Sequence, residues 1–326
     1  MIDRRQFVLA VVVTALVAPL VSLAQQPKVP RVGILISETV SGQASRVDAL
    51  RAGLRDHGYI EGKNIAIEIR SADGNYDRLP ELAAELTRLK VDLIVAVGTK
   101  AVLAAMHATT TIPIVDPVMS DPVALGLSNS LARPGGNVTG SAGFGPEAYA
   151  KRLQFLKEAV PRITRVGVLV NPANTASAMQ VEAMRAAAKA LNLRLQVLEL
   201  RAASEFESGF AAMARGRIEG IMVATDTLFR ANYNEIADLA GKQKLPSTGT
   251  KEFAAAGGLI GYGVDDAAMY RHAAYFVDRI LKGAKPDELP IEQATKLELV
   301  LNLKTAKALG IAIPQSLLVR ADDVIR

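Results

Sequence analysis

The chain has 326 residues, half of them apolar, with a formal net charge of +5 and no cysteine. This length exceeds what one hydrophobic core usually supports, so two lobes are expected, and the apolar share excludes a disordered chain. The lack of cysteine excludes disulfides and thiolate metal or redox sites, and the scattered Lys and Arg give no sign of a nucleic-acid partner.

The chain opens with a basic pair, Arg4-Arg5, an apolar run from Phe7 to Val21, and a small-residue site at Ser22-Leu23-Ala24. This pattern predicts a cleaved export signal over 1–24 and a periplasmic location. The run is interrupted by Thr14 and Pro19 and is short for the ~20 residues of a membrane span. Asp3-Arg4-Arg5-Gln6-Phe7 also fits a twin-arginine signal, so the Sec and twin-arginine routes both stay open.

Val32–Ile36 is predicted as a buried strand, followed by a helix over Gln43–His57 with Val47, Leu50 and Leu54 at helical spacing. NIAIEI at 64–69 reads as a strand, Tyr76–Leu89 as a helix and DLIVAV at 92–97 as a strand. A helix is expected over Thr99–His107, a strand over Ile112–Val115 and a short helix over Pro122–Leu131. PGGNVTG at 134–140 predicts a turn and the last strand of this half.

The second half repeats the first. Helices are predicted over Tyr149–Val160, Thr175–Leu191, Glu205–Arg215 and Asn232–Gln243. Strands are predicted over Arg165–Val170, Arg194–Leu200, Gly220–Ala224 and Leu245–Ser247. Four strands recur in order: RVGILI at 31 as RVGVLV at 165, NIAIEI at 64 as RLQVLE at 194, DLIVAV at 92 as GIMVAT at 220, and IPIV at 112 as LPST at 245. Strands alternating with helices imply parallel sheets, so the fold class is α/β with two doubly wound, Rossmann-like lobes. The remaining chain offers strands at Gly258–Tyr262 and Leu297–Leu301 and a helix at Ala267–Leu281, too little for a third core. It is expected to complete the lobes as 30–143 plus 248–287 and 144–247 plus 288–326, with crossings near 140–145, 247–250 and 285–290.

Ligands of doubly wound sheets sit beyond the carboxyl ends of the strands. The candidates for ligand binding are therefore Ser37, Glu38 and Thr39, Gly98 and Thr99, Asp116, then Asn171, Asn174 and Thr175, with Asp226, Thr250 and Tyr262. Thr99 and Thr175 are expected to open helices, whose N-termini suit a carboxylate, while Asp226, Asp116 or Glu38 could offset an ammonium group. A zwitterion such as an amino acid fits that inventory, although a single Ser, Thr or Asn after a strand also reads as an ordinary N-cap. GILISETVSG stands where a dinucleotide-binding chain would carry Gly-x-Gly-x-x-Gly, and neither a Walker loop nor a Gly-x-Ser-x-Gly elbow occurs. His57, His107 and His272 fall far apart in the pattern. The residues give no catalytic constellation, cofactor site or metal site.

GLRDHGYIEGKNI at 53–65, TIPIVDPVMSDPVALGLSNSLARPGGNVTG at 111–140, RVGVLVNPAN at 165–174, LKGAKPDELPIE at 281–292 and LNLKTAKALGIAIPQSLLVRADDVI at 301–325 carry a family likeness. Through them the chain resembles the ABC-transporter substrate-binding proteins with the type I periplasmic-binding fold, in the branch whose characterised members bind aromatic amino acids. The resemblance implies two lobes joined by three crossovers, with solute held between them by Ser37, Glu38, Gly98, Thr99, Asn174, Thr175 and Asp226. This chain has no Trp, carries TDTLF at 225–229 where that branch usually has Asp-Asn, and offers Phe144, Phe229 and Tyr262 as cleft aromatics. The expectation is a monomeric, non-enzymatic, extracytoplasmic binding component of an ABC importer. It would take a small polar, amino-acid-like solute and partner permease subunits in the inner membrane, with no cofactor and no nucleic acid. A periplasmic ligand-sensing module for a membrane receptor is the alternative.

Overall fold

The computed structural model describes residues 29–143 and 145–326, so the export signal expected over 1–24 and the aromatic ring of Phe144 lie outside the described residues. The strands are β1 (Arg31–Ile36), β2 (Ala66–Ser71), β3 (Leu93–Val97), β4 (Ile114–Met119), β5 (Val138–Ala142), β6 (Arg165–Val170) and β7 (Arg194–Glu199). They continue with β8 (Gly220–Val223), β9 (Ser247–Gly249), β10 (Ile260–Gly263), β11 (Glu292–Gln293), β12 (Glu298–Asn302) and β13 (Asp323–Ile325).

Two sheets result, in the orders β11-β5-β4-β3-β1-β2 and β13-β12-β10-β9-β8-β6-β7. The first is parallel throughout. The second is parallel except where β10 meets β12. The order β2-β1-β3-β4 of one sheet reappears as β7-β6-β8-β9 in the other, which is the repeat expected from the sequence. β1 and β6 also share one burial pattern, an intermediate Arg followed by five buried residues. A strand covered on both faces by helices reads as a continuous apolar run, which is why RVGILI and RVGVLV lack alternation. The shared glycine has a packing reason. A Cβ at Gly33 would stand 3.1 Å from the Leu86 methyls, and one at Gly167 would stand 3.1 Å from Met213 Sδ. Each covering helix therefore lies tight against its strand.

Both lobes bury their own cores. In the first, Val32, Ile34, Val47 and Leu50 pack with Tyr270, Ala273 and Phe276 of the helix Asp266–Leu281. In the second, Val166, Leu169, Phe206, Phe210 and Ile236 pack together. Leu299 and Leu301 of β12 join Ile260, Phe155 and Leu317 on a further face.

Sheet membership corrects the expected lobe boundaries. β9 and β10 pair within the second sheet, whereas the sequence pattern puts residues from 248 in the first lobe. β11 pairs with β5, and Leu289 and Ile291 are buried in the first lobe, whereas the pattern puts residues from 288 in the second. The chain passes between sheets at 142–146, 263–266 and 293–298. The physical reason is that pairing partners are set by tertiary packing: β10 sits between β9 and β12, and Ile260 closes the layer around Phe155. The short helix expected over Pro122–Leu131 is instead a run of turns. Gly126 adopts φ 69° and ends the single helical turn closed by Leu125 N–H to the Asp121 carbonyl. Three short helices, Thr227–Ala231, Lys251–Ala255 and Gln315–Leu318, are not foreshadowed by the sequence pattern.

Candidate functional site

The carboxyl ends of β1, β3 and β4 face those of β6 and β8 across an interlobe cleft. Two chambers fill it, of about 640 and 620 Å³ including the space open to solvent. Val118, Ser120, Thr225 and Arg230 line both, so the chambers adjoin.

One of them, termed the outer chamber, gathers six of the residues expected from sequence: Ser37, Gly98, Thr99, Asp116, Asn174 and Asp226. Ser37 is buried after β1 and donates to the Val97 carbonyl, tying the ends of two strands together. Gly98 holds φ 96° and precedes the helix Thr99–Ala108. A Cβ there would meet Thr227 Cγ2 of the other lobe at 2.9 Å, so the close approach of the lobes needs glycine. The free N–H groups of that helix start offer a seat for an anion.

Asp116 is the carboxylate best placed to meet a ligand. It lies within β4, in the sequence Asp116-Pro117-Val118, rather than after the strand as expected. Pro117 has no N–H to give the ladder, and the register with β5 shifts between Asp116 and Met119. The bulge leaves Asp116 3% exposed, lining the chamber, with one side-chain hydrogen bond among the described residues, from Val118 N–H at 3.0 Å. Burial with so little compensation pushes its carboxyl up to about 7.

Asp226 is differently employed. It caps the helix Thr227–Ala231 through Leu228 N–H at 2.9 Å and accepts from Asn171 Nδ2 at 3.1 Å and Asn174 Nδ2 at 2.8 Å. Burial raises its carboxyl, and these donors oppose the rise. Its lone pairs are largely taken, which makes it a strut at the chamber wall. Glu38 lines neither chamber. Its Oε1 accepts from Tyr76 Oη at 2.6 Å, and Tyr76 Oη in turn accepts from Asn171 Nδ2 at 3.1 Å, so the two lobes are bonded at the cleft rim. Burial, first of all, raises the Glu38 carboxyl.

Thr250 lines the other chamber, termed the inner chamber, and exchanges a hydrogen bond with Tyr233 Oη at 3.0 Å. Three expected residues do not reach the cleft. Thr39 is exposed and accepts from Gly42 N–H within its own turn. Thr175 is exposed, because the chain turns before its helix begins at Ser177. Tyr262 turns its ring to Phe155, at 5.1 Å between centroids, and lines neither chamber. Of the remaining cleft aromatics expected, Phe229 is buried against Phe206 in the second lobe's core.

Several lining residues escape strand-end reasoning because they sit inside helices or strands rather than after strands. Arg46 donates to Asp266 Oδ2 at 3.2 Å and to Gln43 Oε1 at 2.9 Å. Arg230 of the second lobe pairs with the same Asp266, so one carboxylate holds two guanidinium groups across the cleft. Gln43 lines the outer chamber, and its buried Nε2 has no acceptor among the described residues. Arg152 lines the inner chamber, donating from Nε to the Tyr262 carbonyl at 2.7 Å and from Nη1 to Thr225 Oγ1 at 3.0 Å. A signal for it existed: Arg152 stands on the apolar face of its helix, between Tyr149 and Leu156, where a charge calls for a partner. Together, a helix N-terminus, guanidinium groups and an amide donor stand near one under-bonded carboxylate, an arrangement able to hold a small solute bearing both charges. Among the described residues no group of three or more metal-ligating side chains occurs, and no helix is long and apolar enough to cross a membrane.

Comparison with known proteins places this architecture among relatives. The family described as ABC transporter substrate binding protein matches residues 32–325. A tyrosine-binding protein of Clostridioides difficile (strain R20291) is 29% identical over 257 residues, covering 78% of this chain and 74% of that protein. An ABC domain from Streptococcus pneumonia, solved in complex with L-Trp, superposes with a TM-score of 0.83 at 24% identity, over 91% of this chain and 99% of the other. A ligand-free, open substrate-binding protein with adhesive properties from Clostridium difficile gives a TM-score of 0.64 at 25% identity, over 91% and 99%.

Proposed function

The chain belongs to the ABC transporter substrate-binding protein family, and on that premise we propose that it captures a small, amino-acid-like solute between its lobes and delivers it to the permease of an ABC importer. It works outside the cytoplasm, in the periplasm, as a monomer carried there by the export signal of 1–24. One observation carries the reading: the buried Asp116 carboxylate faces a chamber shared with the helix start at Thr99 and with Arg46 and Arg230. An α-ammonium on Asp116 would restore the charge that burial suppresses, and an α-carboxylate would take the donors opposite. The relatives that bind tyrosine and L-Trp support the amino-acid class. Ser37, Gly98, Thr99, Asp116, Asn174, Asp226 and Thr250 form the binding wall.

Solute that bridges the lobes stabilises the closed form, which the permease then distinguishes from the open one. Ligand-stripped protein should gain about 4 kcal/mol of stability at a thousandfold excess of solute over its dissociation constant. Thermal unfolding across an amino-acid panel, with mass spectrometry of solute released from natively purified protein, tests this. Absence of both a shift and a released solute would sink the reading.

A further inference from the structure

The inner chamber keeps a guanidinium that makes no ion pair, Glu252 favouring its charge without a salt bridge. Arg152 is 3% exposed and lines that chamber. Its Nε and Nη1 donate only to neutral acceptors, the Tyr262 carbonyl and Thr225 Oγ1, and its guanidinium lies 5.3 Å from the Tyr149 ring centroid. Among the described residues it forms no ion pair, and Nη2 has no protein acceptor. Asp121, the one carboxylate lining this chamber, accepts from Ala124 N–H at 3.0 Å and pairs with neither guanidinium. The second guanidinium there, Arg230, shares Asp266 with Arg46, so that trio also carries an excess positive charge. Met179, Ala183, Val264 and Leu297 add apolar wall beside the polar Ser120, Gln180 and Thr250. Burying an unpaired cation is costly, and burial indeed holds Arg152 below its ordinary range. A buried guanidinium with free N–H groups on a chamber wall is suited to a planar carboxylate.

We infer that the inner chamber receives a second carboxylate of the solute, seated on Arg152, so that the ligand is an acidic amino acid rather than a neutral aromatic one. This rests on the amino-acid reading of the outer chamber. The α-amino and α-carboxyl groups occupy the outer chamber, and the side chain passes Val118, Ser120 and Thr225 to place its terminal carboxylate inside.

Calorimetric titration of the ligand-stripped full chain decides it, with L-glutamate and L-2-aminoadipate set against L-glutamine, L-leucine and L-tyrosine. The acidic solutes should bind at least tenfold more tightly than the neutral ones, and Arg152→Gln should erase that preference, with Arg152→Lys retaining part of it. Tighter binding of neutral solutes by the wild type overturns the second carboxylate while leaving amino-acid capture standing. Equal losses for both classes in Arg152→Gln also overturn it, since Arg152 would then hold the α-carboxylate common to all. Binding of no amino acid overturns this inference and the reading beneath it. If Arg152→Gln fails to fold, the wild-type preference for acidic or neutral solutes decides between the two outcomes on its own.

Discussion

At Asp116 a single side chain links stability, pH and ligand capture. Its carboxyl is raised to about 7 because desolvation outweighs the one Val118 N–H that favours the ionised form. The folded chain therefore holds the proton more tightly than the unfolded chain, where an Asp titrates at about 4. Below about 4 both states are protonated and nothing is lost; from there to about 7 stability falls as pH rises, by about 4 kcal/mol in all. Denaturant unfolding of ligand-stripped protein should give a lower stability at pH 8 than at pH 5, and Asp116→Asn should remove most of that difference. An unchanged pH dependence in the variant would show that Asp116 is not the buried acid. A bound ammonium reverses the balance, so Asp116→Asn should also weaken amino-acid binding by about tenfold to a hundredfold, the worth of a charge-assisted hydrogen bond. The sequence marks Asp116 as an acid following an apolar run. It does not reveal the Pro117 bulge that turns the side chain into the chamber. Thr39 and Thr175 look equivalent to Thr99 in sequence, but local turns carry them to the surface. Arg152 is hidden for the opposite reason: it sits inside a helix, where strand-end reasoning does not look.

Among the elements, β1 and β6 are the most legible, since continuous apolar runs of fixed length can only be buried strands here. Their glycines set the spacing of sheet and helix. Gly33→Val and Gly167→Val should each destabilise the protein by about 1–3 kcal/mol through overpacking against Leu86 and Met213, as read by denaturant midpoints. Midpoints equal to wild type would mean the covering helices are not held tight. The helix Thr227–Ala231 is not legible in the sequence. Five residues cannot sustain a helix alone, and this one exists because Asp226 caps it and Leu228 and Phe229 are buried. Asp226→Ala should cost more than the ~1 kcal/mol of a lost cap, because the Asn171 and Asn174 amides lose their acceptor as well. A cost below that of an ordinary cap would contradict the strut role.

On the scale of the whole molecule, duplication of the lobe is readable from four recurring strands, whereas two of the three crossings fall elsewhere than the pattern suggests. Periodicity reports burial and says little about which strand is the neighbour, so β10 and β11 could be assigned only from pairing. Closure is not legible at all, since it depends on contacts between distant residues: Asn171 with Tyr76, Thr227 against Gly98, and Arg230 with Asp266. Tyr76→Phe removes the hydroxyl that joins Glu38 to Asn171, and it should shift the lobes toward the open form and weaken solute binding several-fold while each lobe stays folded. Identical affinity in the variant would remove the rim contact from the closing energy. The central claim, that solute is held by lobes closing around it, is tested most directly by small-angle X-ray scattering. Ligand-stripped protein is measured before and after addition of the solute recovered from native preparations. Closure predicts a saturable fall in the radius of gyration that follows occupancy; binding with no compaction, at full saturation, would contradict it.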